Sequence, residues 1–392
     1  MLRVLRFQTA GESHGEGLTA ILDGMPAGLP IDAGALDRDL ARRQGGYGRG
    51  GRMKIESDRA QILGGVRHGR TLGGPIALHI ANRDAPNWKK VMAVGPVPAG
   101  DEAAKALTRP RPGHADLAGA LKYDTHDARD ILERASARET AARVAAGAVA
   151  KRLLEQFGIE VLSHTVQVGG AARPAGAATA WEAIAAAEGT ALRVAEPDLE
   201  RRMIEEIDRA RAAGDSIGGA FEVVARGVPP GLGSHRQWDL RLSARLTAAV
   251  ASIPSVRAVA LGDGEEAPAA RGSAFHDPIL YDPDARRFHR PTNRAGGVEG
   301  GMSNGEPIRI LARVKPLSTL PHPLPSADLV TKEAFEAQVE RTDTIAIAAA
   351  GVVGEAMTAL VLADAFLEKF GGDSLGEIAR HHAGYLEQLR RF

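Results

Sequence analysis

The chain has 392 residues, with 49 Lys and Arg against 49 Asp and Glu, and it contains no cysteine. A zero net charge gives no bulk attraction to nucleic acid or to an anionic membrane, so binding of anions needs a local cluster of basic side chains. The absence of cysteine excludes disulfides, thiol nucleophiles, cysteine-ligated zinc and iron–sulfur clusters, and redox chemistry would therefore need a bound cofactor.

Two features of the sequence bear on where the protein works. The N-terminal residues lack the long apolar core of a signal peptide, and no apolar run approaches the roughly 18 to 20 residues of a membrane span. We therefore expect a cytoplasmic protein with no membrane partner.

Periodicity and capping signals predict the main elements in chain order. Predicted strands cover 60–66, 75–80, 161–168 and 307–315, predicted helices cover 139–157, 345–370 and the C-terminal segment, and long loops cover 96–115 and 262–306. Ser136 with Glu139, and Ser374 with Glu377, have the spacing of capping boxes, and Gly158 ends the first helix. Apolar and basic residues alternate at 307–315, which predicts an antiparallel strand with one wet face.

An internal repeat organises the chain. An offset of about 203 residues lays the segment 11–15 on 214–218 and the segment 24–29 on 227–232, and an offset of about 207 lays 133–136 on 340–343 and Gly147 on Gly354. Because the glycines, prolines and serines coincide in order without gaps, we interpret the match as a duplication rather than a chance effect of composition.

The duplication predicts the architecture. We expect an α+β fold in which 1–392 is one large domain, built from halves at about 1–195 and 196–392. The halves would be related by a pseudo-twofold axis, with antiparallel sheets sandwiched with helices in a β-α-β arrangement.

Differences between the matched positions point to chemistry. His14 corresponds to Ile217 in the second copy. The matched glycines account for the turn in both copies, so the imidazole is not needed for the turn itself. Ser136 corresponds to Asp343, which either caps a helix or, ahead of an apolar run, is a poorly solvated acid or base. A lone histidine is usually structural, but this asymmetry favours a catalytic role for His14.

Basic residues cluster in four segments. The segment 38–54, with Arg43 and Arg49, is either a solvated or RNA-binding arginine–glycine stretch or a loop that folds over a small anion, and we favour the loop. The segments 109–116, 134–138 and 315–319 each carry basic or hydroxyl side chains suited to carboxylate or phosphate. Together they predict a substrate with several negative charges and a phosphorylated cofactor. No dinucleotide or P-loop motif occurs, no spacing predicts a metal site, and His381 and His382 are predicted on the surface.

Several of these segments resemble the constant blocks of the chorismate synthase family. The segments 11–26, 133–149 and 341–357 resemble its three signatures, and 111–116, 293–305 and 315–319 resemble its other constant blocks. The third signature usually has Ser or His where this chain has Thr342, and the hydroxyl is kept.

The resemblance implies a lyase that converts 5-enolpyruvylshikimate 3-phosphate to chorismate by 1,4-anti elimination of phosphate. It implies reduced FMN as cofactor although the reaction has no net redox change, with NADPH (NADP) only as a reductant of the flavin and FAD as the other flavin associated with such enzymes. It also implies a homotetramer that works on a small molecule, without nucleic acid. The alternatives are a flavin- or nucleotide-binding protein without lyase activity and an RNA-binding protein.

The resemblance further implies roles for single residues. His14 would donate a proton at the flavin, His114 would protonate the departing phosphate, and Asp343 would help to move the proton of flavin N5. Arg43 and Arg49 would bind the phosphate of substrate or NADP. The residues that correspond to FMN contacts are Arg134, Ala135, Ser136, Ala251, Ser252, Gly300, Lys315, Pro316, Leu317, Ser318, Thr319 and Arg341.

Overall fold

A computed structural model describes residues 2–50, 57–98, 105–340 and 343–392. The strands are β1 Arg6–Ala10, β2 Gly17–Asp23, β3 Gln61–Gly64, β4 Val66–Arg67, β5 Arg70–Thr71, β6 Ile76–Ala81, β7 Glu160–Val168, β8 Ala171–Ala172, β9 Gly219–Arg226, β10 Val256–Leu261, β11 Leu280–Asp282, β12 Arg287–His289, β13 Val298–Glu299, β14 Met302–Ser303, β15 Ile308–Val314, β16 Pro325–Ala327 and β17 Ala334–Glu336. The helices are α1 Ala33–Gln44, α2 Asp116–Tyr123, α3 Arg129–Ala135, α4 Thr140–Glu155, α5 Trp181–Ala186, α6 Pro197–Ala212, α7 Leu242–Ala251, α8 Gly272–Phe275, α9 Ile347–Phe370 and α10 Leu375–Arg391.

Two antiparallel sheets enclose a layer of helices. The first sheet has the strand order β1-β2-β6-β3 and the second has the order β10-β15-β9-β7-β8. Alternate side chains of β2 and β6, including Leu18 and Leu78, point into the core, where α4 packs on the first sheet and α9 on the second. This sheet–helix–sheet sandwich confirms the predicted α+β fold.

The two central helices approach their neighbours closely at glycines that the repeat had matched. A Cβ on Gly147 would lie 2.4 Å from the Cβ of Ala356 in α9, and a Cβ on Gly354 would lie 2.6 Å from the ring of Phe221 in β9. Both contacts are too short for any side chain, so the matched glycines allow the tight packing of the helical layer.

The expectation that no segment has the length and apolarity of a membrane span was wrong for α9. Within the described part of the chain this helix alone is long and apolar enough to cross a membrane, but 94% of its apolar window is buried inside the protein. It is the central helix of the core, covered by α4, α7 and the second sheet.

The strand connections of the two sheets correspond. The order β1-β2-β6-β3 in the first sheet has its counterpart in β7-β9-β15-β10 in the second, and α4 and α9 each follow their set. Gly24 and Gly227 both have positive φ, where a Cβ would meet the carbonyl oxygens of Val4 and Gly158. We propose on this basis two repeats with a boundary between α4 and β7, because β7 lies before residue 195 and yet pairs in the second sheet.

The predicted local elements are present with shifted ends. Ser136 caps a short 3₁₀ turn at Ala137–Glu139, from which α4 continues, and Gly158 follows it with positive φ. Ser374 accepts a hydrogen bond from the Glu377 backbone at 3.4 Å. The predicted loop at 262–306 also contains α8 and the hairpins β11–β12 and β13–β14.

Two surface predictions were wrong. Arg309 of β15 is buried rather than wet, because it pairs with Glu222 at 3.0 Å and with Asp263 at 3.0 Å. His382 is half-buried against Phe366 and Phe370, and burial lowers its pKa. In both cases a partner distant in sequence provides the environment.

Candidate functional site

A cavity of about 1000 Å³ lies where the first turns of α4 and α9 meet the loops around 14, 114 and 315–319. Its floor includes apolar side chains such as Leu132, Ile253 and Val353. Its charged and polar lining consists of Ser13, His14, Arg43, Arg49, Asp84, Asn87, Lys105, Arg111, His114, Ser136, Arg138, Thr140, Ser255, Lys315, Ser318, Thr319, Glu340 and Asp343. Among these described residues, six cationic side chains face three carboxylates, so the cavity favours anions.

Arg43 and Arg138 form one pair of cations, joined by a buried carboxylate. The Asp58 side chain accepts from Arg138 Nη1 at 2.6 Å and from Arg43 Nη2 at 3.0 Å. Arg138 Nε also donates to Asn82 at 2.9 Å. Burial, together with the charges of Arg138 and Arg49, lowers the pKa of Arg43 against the opposing effect of Asp58. The arginines thus reach the cavity already oriented.

His14 lies shortly after β1, and neighbouring side chains contact its imidazole ring at Nδ1 and on one face. Its Nδ1 lies 2.8 Å from Glu133 Oε1, and its ring stacks on Trp88 with the centroids 3.9 Å apart. Burial acts to raise the pKa of Glu133, but the hydrogen bonds from His14 and the charge of Arg129 outweigh it and lower that pKa. Glu133 is therefore a carboxylate at neutral pH.

His114 lies in the loop before α2 and also meets a carboxylate through Nδ1. Asp116 Oδ1 is in hydrogen-bond contact with this nitrogen, and Asp116 also accepts from Arg111 Nε at 2.8 Å. Burial opposes ionisation of Asp116, but the bonds from His114 and Arg111 lower its pKa far below the usual range. Arg111 Nη1 continues to Thr319 Oγ1 at 2.8 Å, and Lys315 Nζ donates to Gly113 O at 2.5 Å, so the 109–116 loop is tied to the 315–319 segment.

Asp343 connects the start of the α9 region to the arginine–glycine loop. Its Oδ1 accepts from the backbone N–H of Gly50 at 2.6 Å, and its Oδ2 lies 3.3 Å from Arg49 Nε. Helix α9 begins at Ile347 without a side-chain cap, and these two contacts of Asp343 join it to the loop.

Comparison with known proteins identifies the family. A family model described as chorismate synthase matches residues 5–367. The chain is 53% identical over 392 residues to a chorismate synthase of Solibacter usitatus, covering 99% of this chain and 100% of that protein, and 54% identical over 387 residues to one of Moorella thermoacetica, with the same coverage. A solved structure described as the crystal structure of chorismate synthase superposes with a TM-score of 0.80 at 40% identity, covering 100% of both chains.

The chain belongs to the chorismate synthase family. It is therefore a lyase of aromatic amino-acid biosynthesis that forms chorismate from 5-enolpyruvylshikimate 3-phosphate by 1,4-anti elimination of phosphate. The predicted resemblance and reaction are confirmed.

The structure brings most of the predicted site residues of this chorismate synthase family member to the cavity. The residues that line it are His14, Arg43, Arg49, His114, Ala135, Ser136, Lys315, Leu317, Ser318, Thr319 and Asp343.

Other predicted residues lie outside the cavity of the single chain. Arg134 is exposed and donates to Thr9 O at 2.9 Å, because its side chain turns toward β1. Ala251, Ser252, Gly300 and Pro316 are also exposed, and Ser252 accepts from Arg143 at the end of α7. Arg341, together with Thr342 and with Arg52 and Lys54 of the basic segment, lies outside the described residues.

The basic segment at 38–54 divides between two environments. Arg43 and Arg49 reach the cavity, but Arg42 turns into the core, where it donates to Glu355 at 2.7 Å and to Glu188 at 2.6 Å. Arg38 is exposed beside Asp32. The interpretation of this segment as a single anion-binding patch was therefore too broad.

Sequence reasoning missed several residues at the site. Trp88, Asp84 and Lys105 line the cavity but belong to no motif that the sequence singled out. Asp58 and Glu133 bind side chains that line the cavity. Asp58 pairs with Arg43, and Glu133 pairs with His14. Glu133 carried a signal, since the repeat matched it to Glu340, whereas Asp58 carried none.

Proposed function

We propose that the cavity binds reduced FMN and 5-enolpyruvylshikimate 3-phosphate side by side. The observation that carries this proposal is the combination of six cations with two histidines, each anchored through Nδ1 to a buried carboxylate. The donors suit the ligands, because the substrate brings two carboxylates and a phosphate while FMN adds another phosphate. Apolar residues such as Leu132 and Val353 offer surface for flat rings.

Reduced FMN, when bound, would supply an electron to the substrate as the C–O bond to phosphate breaks and would take it back with the hydrogen lost from C6, so no net redox change would result. The protein contributes binding and protons. Arg43, Arg111 and Arg138 neutralise the anions in fixed orientations, which stabilises negative charge as it moves onto the leaving phosphate.

The proton donors follow from the geometry of the two histidines. We assign the proton exchange of each imidazole to Nε2, because Nδ1 of His14 faces Glu133 and Nδ1 of His114 faces Asp116. We assign to His114 the protonation of the departing phosphate and to His14 the proton at the flavin, and we assign to Asp343 a part in moving the proton of flavin N5. Asp343 also holds Arg49, which we assign to phosphate binding.

The exposed residues suggest an assembly. Arg134, Ala251, Ser252 and Gly300 correspond to FMN contacts in the resemblance, yet they lie outside the cavity of a single chain. We infer that the flavin extends to a subunit contact in a homotetramer. In this proposal NADPH acts only as a reductant of the flavin, and the enzyme works in the cytoplasm.

An anaerobic assay with the substrate and chemically reduced FMN tests the proposal. Chorismate and phosphate should appear together with reduced FMN and not without it. Flavin binding without either product would instead indicate a flavoprotein that lacks lyase activity. A parallel aerobic reaction with FMN and NADPH alone shows whether the protein reduces its own flavin.

A further inference from the structure

Glu133 contacts the turn that carries His14 at three points. Its backbone carbonyl accepts from Ser13 N at 2.9 Å, its Oε2 accepts from His14 N at 2.9 Å, and its Oε1 lies 2.8 Å from His14 Nδ1. The Glu133 side chain is only 2% exposed. The carboxylate therefore has two acceptor positions that match the two N–H groups of one residue.

The carboxylate is itself fixed from the other side. Arg129, one turn earlier on α3, donates from Nη1 to Glu133 Oε1 at 3.2 Å and from Nη2 to Glu340 at 3.3 Å. A carboxylate that faces both a guanidinium and a backbone N–H keeps its negative charge. It can then accept from His14 Nδ1 but cannot donate to it.

Trp88 fixes the plane of the imidazole. The two rings are stacked at an interplanar angle of 25°, and the indole N–H donates to Asp84 Oδ2 at 3.0 Å. Lys105 Nζ lies 3.7 Å from the Trp88 ring centroid, which adds a cation–π contact. One face and one edge of the His14 ring are thus held by side chains that come from different parts of the chain.

We infer that Glu133, with Trp88 against the ring, is a positioning residue that keeps the proton of neutral His14 on Nδ1 and directs Nε2 to the cavity. An imidazolium that gives up its Nε2 proton then returns to the tautomer that can be protonated again at Nε2. The catalytic consequence rests on the proposed role of His14, whereas the tautomer itself does not.

The repeat supports a dedicated role for this pair. Glu340 occupies the position that matches Glu133, and Ile217 occupies the position that matches His14. Glu340 takes Arg129 as its partner instead of an imidazole. The carboxylate recurs in both halves, but only the first half uses it to orient a histidine.

Nitrogen NMR of the ligand-free protein labelled with ¹⁵N-histidine tests the inference without any flavin. The His14 signals are assigned by their loss in His14→Gln, and the tautomer is read at a pH where the ring is neutral. Wild type should show a proton on Nδ1 of His14. Both Glu133 oxygens face His14 Nδ1, at 2.8 and 3.1 Å, and Glu133→Gln replaces one of them by an amide NH₂ group that can only donate. The Nε2–H tautomer, in which Nδ1 accepts, should therefore gain population.

A matched variant controls for the loss of charge. Asp130→Asn removes an exposed carboxylate from the same helix and should leave the His14 signals unchanged. The His114 signals serve as an internal reference in both variants. An Nε2–H tautomer in wild type would overturn the inference, as would an unchanged His14 tautomer in Glu133→Gln. The wild-type spectrum decides the matter if that variant does not fold.

Kinetics separate this inference from the proposed function. Glu133→Gln should lower kcat about 10-fold to 100-fold, with little change in the KM for substrate. This loss is smaller than the roughly 10²-fold to 10⁴-fold that general acid catalysis contributes, because His14 itself is kept. Glu133→Asp, which keeps the charge, should recover part of that loss. If wild type forms no chorismate with reduced FMN, the proposed function fails while the tautomer result stands. If wild type is active and Glu133→Gln matches it, Glu133 has no positioning role.

Discussion

Replacing Asp58 by Asn should destabilise the protein by removing the charge that balances two arginines. The Asp58 side chain is 1% exposed, and those of Arg43 and Arg138 are 7% and 4% exposed. Breaking a buried ion pair from one side costs roughly 3–5 kcal/mol. Asn keeps one acceptor oxygen, and Arg138 keeps its bond to Asn82, so we expect a value near 3 kcal/mol. With roughly 2.1 cal/mol/K of unfolding entropy per residue over 392 residues, Tm should fall by about 4 °C.

In Asp58→Asn the positive charges of Arg43 and Arg138 are no longer balanced, so the thermal stability of this variant should depend on added anions. Because the two guanidiniums line the cavity, inorganic phosphate can supply the missing negative charge, and it should raise the Tm of Asp58→Asn more than that of wild type. Thermal unfolding with and without phosphate measures both effects. Asp198→Asn is a suitable control, because its side chain is 88% exposed beside Arg201 and such pairs contribute little. An unchanged Tm, or an equal response to phosphate in both proteins, would refute this reasoning.

Three further predictions concern protons, substrate and acid stability. His14→Ala and His114→Ala should each lower turnover by roughly 10-fold to 10⁴-fold while FMN binding, measured by flavin fluorescence, survives; near-normal turnover in both would remove the acid assignments. Arg49→Ala should raise the KM for substrate far more than it lowers Tm, and a folding defect instead would indicate a structural role. The buried contacts of Glu222 with His164, Arg173 and Arg309 lower its pKa against the effect of burial. A lowered pKa stabilises the fold at a pH above the unfolded value of about 4.3 and loses that contribution as the pH falls. Glu222→Gln should therefore be less stable than wild type at pH 7 and should have a shallower acid limb of Tm against pH; parallel limbs would contradict this.

The parts of the fold that the sequence predicts are those with local or periodic causes. Gly158 ends a helix in the left-handed region, Ser374 caps another, and the matched glycines at 24 and 227 serve equivalent turns. The repeat likewise revealed His14 by its contrast with Ile217. These signals lie within a few residues or at a fixed offset, so they can be recognised without coordinates.

The parts that could not be predicted depend on partners far apart in sequence. Arg42 belongs to a basic run, but it pairs with Glu355 across 313 residues and so leaves the anion site. The role of Asp58 is evident only from its ion pairs with Arg43 and Arg138, and Arg138 is 80 residues away in the sequence. Trp88 is recognisable only from its stacking on His14. For each of these residues, the direction of the side chain in the folded protein determines its partner, and that direction cannot be read from the composition of the segment.

The most direct test of the central claim is the number of chorismate molecules formed per reduced FMN under anaerobic conditions. If each elimination leaves the flavin reduced, the enzyme should form many molecules of chorismate per flavin, each with one phosphate. The absorbance of the flavin should stay that of the reduced form throughout. Formation of at most one chorismate per flavin, with matching flavin oxidation, would contradict an elimination without net redox change.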